Sequence, residues 1–218
     1  FFIFVLKIKQ KMRRLYSSIL LVTLIFAACD SNSQKEITII PDPAKGQDAI
    51  ISSLEHSKNF FNEENNHLYA AINGENTNIT RVLINFKEIP RNVEIDSAYL
   101  SFKFNTTSIY GKEHYGVNQF VISRVVSPWN KEDLTWDNRP VVSEFNKVYH
   151  DKVVLNNDPN RINVTKLVQE ISDDYENSYG FELKLLNENQ NALLLLASSN
   201  HPNKDLRPKL QVYYKEKK

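Results

Sequence analysis

The segment from Asn105 to Gly116 carries the side chains best suited to contact a ligand. It is long and polar, and it holds two aromatic and two basic side chains close together: Tyr110, Lys112, His114 and Tyr115. Aromatic rings can pack against the flat face of a sugar ring, and cationic groups can pair with a carboxylate. The segment therefore predicts a loop that binds an acidic glycan, and a solvated hairpin tip is the alternative.

A second candidate is the segment WNKEDLTWDNRP, which contains both tryptophans of the chain, Trp129 and Trp136. Their indole rings could stack on a sugar, while Lys131 or Arg139 could pair with the carboxylate of a uronate. The alternative is structural. In that case the indoles fill the edge of the fold, and Asn138 and Arg139 hold a loop by hydrogen bonds.

Catalysis is not expected from these residues. Polysaccharide lyases of the jelly-roll type use His and Tyr as base and acid, but they also need positioned groups that hold the substrate carboxylate. No such motif is present, and the adjacent His114 and Tyr115 would point to opposite sides of a strand. No sequence motif singles out a pair of carboxylates for glycoside hydrolysis. We predict a protein without enzymatic activity, with lyase or hydrolase activity as the alternative.

Metal ligands show no recognisable spacing. The histidines stand at positions 56, 67, 114, 150 and 201, and a single cysteine excludes a disulfide framework or a Cys-rich zinc site. We therefore expect no metal site and no cofactor. The oxygen-rich turns at Asn156–Asp158 and Asp173–Asp174 leave a structural calcium ion as an alternative.

Residues 1–28 have the pattern of an export signal. They carry five basic side chains and no acid, and Met12, the only methionine, is the expected start. Two arginines then precede the apolar run Leu15–Phe26, and FAAC ends in Cys29, which resembles a bacterial lipobox. We predict lipidation of Cys29, a polar tether over residues 29–36, and attachment to the outer membrane of a bacterial cell envelope. An ordinary secretory signal with an incidental Cys29 is the alternative. A transmembrane anchor is less favoured, since the apolar run is shorter than the ~20 residues of a membrane span.

The charge of the remaining chain limits its partners. Residues 29–218 carry 22 basic and 26 acidic side chains, so they are mildly acidic. This balance argues against nucleic acid as a partner. It also means that an anionic polymer needs a local cationic cluster, so that its binding is expected to weaken with salt.

Hydrophobic residues recur mostly with a period of two from residue 37 onward, which is typical of half-buried strands. The clearest strands are Val82–Phe86, Ala98–Phe104, Phe120–Ile122, Phe181–Leu185, Leu193–Leu196 and Leu210–Tyr214, and the weaker ones are Ile37–Ile40, Asp48–Ser52, His67–Ile72 and Lys152–Leu155. Helical spacing over residues 164–175 predicts one short helix across the end of a sheet. Residues 37–218 are thus predicted to form one all-β domain, a jelly-roll-type β-sandwich with one short helix.

Several fragments resemble, in order and spacing, the DNRLRE domain family, which overlaps a carbohydrate-binding module family known for alginate-binding jelly rolls. They are GQDAIISS, TRVLINFKEIPRNVEIDSAYLSFKF, VISRVVSPWNKEDLTWDNRPVV, INVTKLVQEI, NSYGFELKLL and LASSNHPNKDLRPKLQVYY. The resemblance covers roughly residues 46–214. Asn163 departs from the family, which commonly has Asp at that position.

This resemblance implies a noncatalytic module whose partner is a polysaccharide, with a polyuronate such as alginate as the acidic candidate. A structural or adhesive surface module without a glycan ligand is the alternative. The residues that the resemblance assigns to a structural motif are Trp129, Trp136, Asn138, Arg139, Pro140, Arg207 and Pro208.

Overall fold

The computed structural model describes residues 33–41, 47–74 and 76–217. Within them, alternating side chains form twelve strands. In chain order these are β1 (Lys35–Ile39), β2 (Gln47–Ser52), β3 (Asn65–Asn73), β4 (Asn76–Asn85), β5 (Val93–Ser101), β6 (Tyr115–Gly116), β7 (Phe120–Arg124), β8 (Val148–His150), β9 (Ile162–Asn163), β10 (Phe181–Leu185), β11 (Ala192–Ala197) and β12 (Lys209–Glu216).

The strands pair into two antiparallel sheets. One has four strands in the order β1-β12-β5-β9. The other has eight, in the order β6-β11-β3-β4-β10-β7-β8, with β2 pairing with β4. This is an all-β sandwich of the jelly-roll type, as the sequence predicts.

The main core lies between the sheets and is built from alternate residues of both. Leu100 and Val212 come from the four-stranded sheet, and Leu183 and Leu194 from the eight-stranded sheet; all four are fully buried. The apolar run of β11 is continuous because both faces of this strand are buried. Its even-numbered leucines face the main core, whereas Leu193 and Leu195 pack in a separate cluster with Phe104 and Tyr69.

Within the described residues there is one α-helix, α1 (Thr165–Asp173), which confirms the predicted helix and is followed by a 3-10 turn at Tyr175–Asn177. It lies along the edge of β5. The Gln169 side chain accepts a hydrogen bond from the Ile95 amide at 2.7 Å and donates one to the Val93 carbonyl at 2.9 Å. The helix thereby satisfies a strand edge that would otherwise expose unpaired backbone groups.

One predicted strand is wrong. Lys152–Leu155 does not form a strand, and only Leu155 makes an isolated bridge, to His114. The strand lies a few residues earlier, at β8, which pairs with β7. The predicted signal segment and Cys29 lie outside the described residues. Among the residues described, no helix is long and apolar enough to cross a membrane.

Candidate functional site

A cleft of ≈ 340 Å³ opens on the eight-stranded sheet, and we call it the tyrosine cleft. Strands β2, β3, β4, β6 and β11 contribute to it, together with two loops. Its lining residues are Ile50, Ser52, Glu55, Phe60, His67, Tyr69, Asn78, Thr80, Tyr110, Tyr115 and Leu193. The lining thus combines three tyrosines with hydroxyl, amide and imidazole groups, which is a typical composition for a small polar ligand.

Tyr110 is held in the cleft by the ordered start of its loop. Buried Asn105 accepts a hydrogen bond from the Thr107 amide at 3.0 Å, and buried Ser108 accepts one from the Tyr110 amide at 3.1 Å. These local bonds fix the turn, because short polar side chains replace missing backbone partners. The Tyr110 ring remains 43% exposed, so one side of it is open to a ligand.

Tyr115 is positioned by the short strand β6, which pairs with β11 at Leu193. Gly116 makes this close pairing feasible. Its φ is +71°, and a Cβ atom there would lie 2.0 Å from the Asn191 carbonyl oxygen, so only glycine fits. Burial and a hydrogen bond with Tyr69 raise the pKa of Tyr115, which therefore stays protonated at neutral pH.

His67, on β3, forms part of the inner wall of the cleft and is 9% exposed. Its ring centroid lies 4.4 Å from that of Tyr110, with a tilt of 41°. Its buried Nδ1 finds no hydrogen-bond partner among the described residues. Burial lowers the pKa of His67 to about 4, so the imidazole is neutral at pH 7.

The charged groups near the cleft are mostly carboxylates. Glu55 lines it, and the charge of Glu63 acts on the Tyr110 hydroxyl. Burial, with the charge of Glu63 second, raises the pKa of Tyr110. Lys58 is the cation whose charge acts on Tyr110, and it is already paired with Glu55 at 2.9 Å. The cationic cluster expected for an acidic glycan is therefore not assembled at this cleft.

His114 does not join the tyrosines at the surface, although the sequence predicts it as a binding residue. It is 4% exposed. Its Nδ1 accepts a hydrogen bond from the Leu195 amide at 3.0 Å, which leaves Nε2 to donate to the Asn157 carbonyl, also at 3.0 Å. Nδ1 thus joins the loop to β11, and Nε2 joins it to the segment at Asn157. Burial lowers the pKa of His114, in keeping with a neutral structural imidazole.

The other predicted cationic contacts also lie apart from the cleft lining. Lys112 is exposed on the loop. The Lys131 ammonium lies 5.9 Å from the centre of the Phe61 ring. Arg139 donates to the Trp136 carbonyl at 2.7 Å, and its guanidinium lies over the Trp136 ring. The structure therefore brings two of the six predicted glycan-binding residues, Tyr110 and Tyr115, together in one cleft.

The two tryptophans belong to residues 126–143, which we call the tryptophan cover. Trp129 and Trp136 pack against a small apolar cluster that includes Ile51, Leu83 and Leu134. The Trp129 Nε1 donates to the Tyr179 carbonyl at 2.8 Å. Two guanidinium groups, those of Arg81 and Arg139, lie over the Trp136 ring at 5.0 and 4.9 Å from its centre. The indoles therefore contact the protein itself.

Two further motif residues hold backbone segments by hydrogen bonds. Asn138 accepts from the Thr135 amide at 2.7 Å and donates to the Asp133 carbonyl at 2.8 Å. Arg207 is buried, and its Nε donates to the His201 carbonyl at 2.8 Å. Pro140 and Pro208 are buried.

A second concave surface lies on the four-stranded sheet, and we call it the basic groove. It measures ≈ 280 Å³ and is lined by Ser101, Lys103, Asn160, Arg161, Asp205, Arg207, Lys209 and Gln211. Arg161 lies 4.2 Å from the centre of the Tyr99 ring, and Lys103 is paired with Asp158 at 2.7 Å. Four cations against one lining carboxylate make this surface locally positive. Hydrophobic periodicity and residue spacing in the sequence do not predict this groove.

No group of three or more His, Cys, Asp or Glu side chains able to hold a metal ion occurs within residues 33–41, 47–74 and 76–217. Fold and cleft together define an all-β jelly-roll sandwich with an aromatic cleft on its larger sheet. No protein-family model matches the chain, and no curated protein is significantly similar to it. The resemblance to the DNRLRE domain stays a prediction.

Proposed function

We propose that this protein binds polysaccharide without transforming it, and that one stretch of the polymer lies in the tyrosine cleft. The observation that carries the proposal is the pair of half-exposed tyrosines, Tyr110 and Tyr115, on the same cleft as the hydroxyl and amide groups of Ser52, Asn78 and Thr80. Aromatic faces pack against the apolar face of a sugar ring, and polar groups of this kind bind its hydroxyls.

The proton affinities of the cleft favour binding over catalysis. A general acid or base works best when its pKa lies near the working pH. The pKa of His67 is lowered to about 4, whereas the pKa values of Tyr110 and Tyr115 are raised above their usual value of 10. The pKa values of all three groups thus lie far from pH 7, which supports a role as hydrogen-bonding and stacking groups.

Acidic polysaccharide is a second candidate ligand, and the basic groove favours it. Arg161 and Lys209 line the groove, and the Arg161 guanidinium is held over Tyr99. A polyuronate such as alginate would place its carboxylates there. Attraction of this kind is screened by salt, so its binding would weaken as ionic strength rises.

The proposal places the domain at the outer membrane of a bacterial cell envelope, through a lipid on Cys29. Strand β1 begins at Lys35, six residues later. Six extended residues span at most about 20 Å, so the lipid would keep the domain close to the bilayer surface. Replacement of Cys29 by Ser should abolish labelling by a fatty-acid probe, and labelling that survives would contradict the anchor.

Affinity electrophoresis of the purified protein through gels containing single polysaccharides tests the binding proposal. We expect at least one polymer to retard the protein with a dissociation constant of roughly micromolar to millimolar. The double variant Tyr110→Ala, Tyr115→Ala should lose most of this retardation, with little change in melting temperature because both rings are half exposed.

The matched control is Tyr149→Ala. Tyr149 is 64% exposed on β8, at the opposite edge of the eight-stranded sheet from β6. This variant should bind like the native protein. Retardation by no polymer would contradict the proposal and would favour the alternative, a structural or adhesive surface module.

A further inference from the structure

The tyrosine cleft has one polar group whose hydrogen-bonding capacity is unused. His67 is nine-tenths buried in the cleft wall, and its Nδ1 has no partner within the described residues. The contacts of His67 with its neighbours do not use Nδ1. Thr80 donates a hydrogen bond to the His67 backbone carbonyl at 2.8 Å, and the Tyr110 ring covers the imidazole. A buried polar atom without a partner is unfavourable. Nδ1 has almost no accessible surface under the Tyr110 ring, so a ligand hydroxyl that moves this ring aside would satisfy it.

The charge of the cleft limits what that ligand can be. None of the lining residues is a lysine or an arginine. Glu55 lies in the lining, the charge of Glu63 acts on Tyr110, and the charge of Lys58 is balanced by Glu55. A ligand carboxylate would therefore meet like charge. A hydroxyl group would meet partners, since it both donates and accepts hydrogen bonds.

The protonation state of His67 agrees with this reading. The imidazole is neutral at pH 7 because burial lowers its pKa. A neutral imidazole offers one donor and one acceptor, which match a hydroxyl, whereas an ionised carboxylate only accepts.

We infer that the tyrosine cleft selects an uncharged sugar residue, with His67 as the polar group that binds one of its hydroxyls between Tyr110 and Tyr115. This inference rests on the proposed function and names its ligand class at that site. It reverses the expectation of a uronate at Tyr110 and Tyr115, because Glu55 lines the cleft and the exposed Lys112 of the same loop is not part of the lining.

A comparison of matched polymers tests the selection. Each neutral polysaccharide that retards the protein is compared with the same polymer oxidised at C6 to the uronate. We expect the affinity for the oxidised form to be lower by a factor of about ten or more. Binding of the neutral form should be independent of salt, and the difference between the two should shrink at high salt because repulsion is screened.

Three outcomes separate the inference from the function on which it rests. Retardation by no polymer overturns both. Tyrosine-dependent binding of the oxidised polymer that equals or exceeds binding of the neutral one overturns the inference and leaves the proposed function standing. Binding of oxidised polymers alone, lost in Arg161→Ala but kept in the double tyrosine variant, also overturns the inference, because the ligand then lies in the basic groove.

Two variants of His67 test its role in the same assay. His67→Phe keeps a ring of similar shape and removes the hydrogen bonds, so neutral-polymer binding should fall about tenfold. The melting temperature should stay equal or rise, because an unsatisfied buried group has been removed. His67→Asn keeps one donor and one acceptor and should bind within about threefold of the native protein.

His150→Phe is the control, since His150 stacks on Phe120 away from the cleft lining, and its binding should be unchanged. Native affinity in His67→Phe would overturn the role of His67. A lower melting temperature with unchanged binding would show that His67 serves the fold alone.

Glu55→Gln tests the electrostatic part. Removal of this carboxylate also frees Lys58, so the oxidised polymer should gain affinity and the preference for the neutral polymer should narrow. An unchanged preference would overturn the role that we assign to Glu55.

Discussion

The tyrosine cleft and the basic groove are concave surfaces of similar volume on different sheets, and they have opposite local charge. The cleft is lined by tyrosines, a neutral imidazole and Glu55, whereas the groove is lined by four cations and Asp205. Residues 29–218 are mildly acidic as a whole. The net charge of the protein therefore says little about the charge of its ligand, because the local potential of each surface is set by the few groups that line it.

The largest expected effect comes from Gly116→Ala, which should disable the cleft and spare the groove. The added Cβ would meet the Asn191 carbonyl oxygen at 2.0 Å, and the φ of +71° disfavours any other residue. Left-handed strain and overpacking together should lower the free energy of unfolding by about 2–5 kcal/mol.

Chemical denaturation measures this loss, and Gly74→Ala is the matched control. Gly74 also has a positive φ, of +63°, but has nothing within 4 Å of an added Cβ. It should lose about 1 kcal/mol. Equal losses in the two variants would show that the approach of β6 to β11 is not tight.

Trp136→Ala should separate stability from binding. The indole packs against Leu83 and Leu134, and its removal should lower the free energy of unfolding by about 3 kcal/mol. For a domain of this size that corresponds to roughly 6–12 °C in melting temperature. The folded variant should still bind a neutral polymer. Normal melting with loss of binding would place the site at the tryptophan cover instead.

Acid should test the neutral state of His67. The unfolded chain takes up the proton near the ordinary histidine pKa of 6.5, while the folded protein resists until about pH 4. Stability should therefore fall as the pH drops from 6.5 to 4, by at most about 3 kcal/mol.

Other buried groups also have shifted pKa values, so the informative quantity is the difference between native protein and His67→Phe. The lowered pKa of His114 acts in the same direction as that of His67. The raised pKa values of Asp48 and Glu182, both due to burial, act in the opposite direction. A difference that does not change between pH 6.5 and 4 would contradict a neutral, buried His67.

The smallest expected effect belongs to the groove. Arg161→Ala should weaken binding of an acidic polymer by up to about fivefold at low salt, because single exposed charge contacts contribute at most about 1 kcal/mol. Binding of a neutral polymer should not change. Loss of neutral-polymer binding in this variant would show that the two surfaces are not independent.

The sequence predicts the fold well because alternation records which side of each strand is buried. In β5, for example, Ala98 and Leu100 face the core while Tyr99 does not. Lys152–Leu155 shows the limit of the method. Three of its residues, Val153 to Leu155, are apolar, but only Leu155 pairs with another segment. Strand pairing depends on a partner that the local sequence does not reveal.

The candidate site is predicted in part, for a related reason. Tyr110 and Tyr115 follow from their loop, and alternation correctly separates the directions of Tyr115 and His114. His67 does not follow, because its role depends on a contact with Tyr110, 43 residues away in the chain. In the sequence it is one of five isolated histidines.

The tryptophan cover has a spectroscopic consequence. Trp129 and Trp136 are the only tryptophans of the chain, and both pack in the cover, whereas the cleft lining contains tyrosines and no tryptophan. Intrinsic tryptophan fluorescence should therefore follow opening of the cover during denaturation and stay nearly constant when a sugar enters the cleft. Near-ultraviolet circular dichroism of the tyrosines, or aromatic proton resonances of Tyr110 and His67, should report occupancy of the cleft instead.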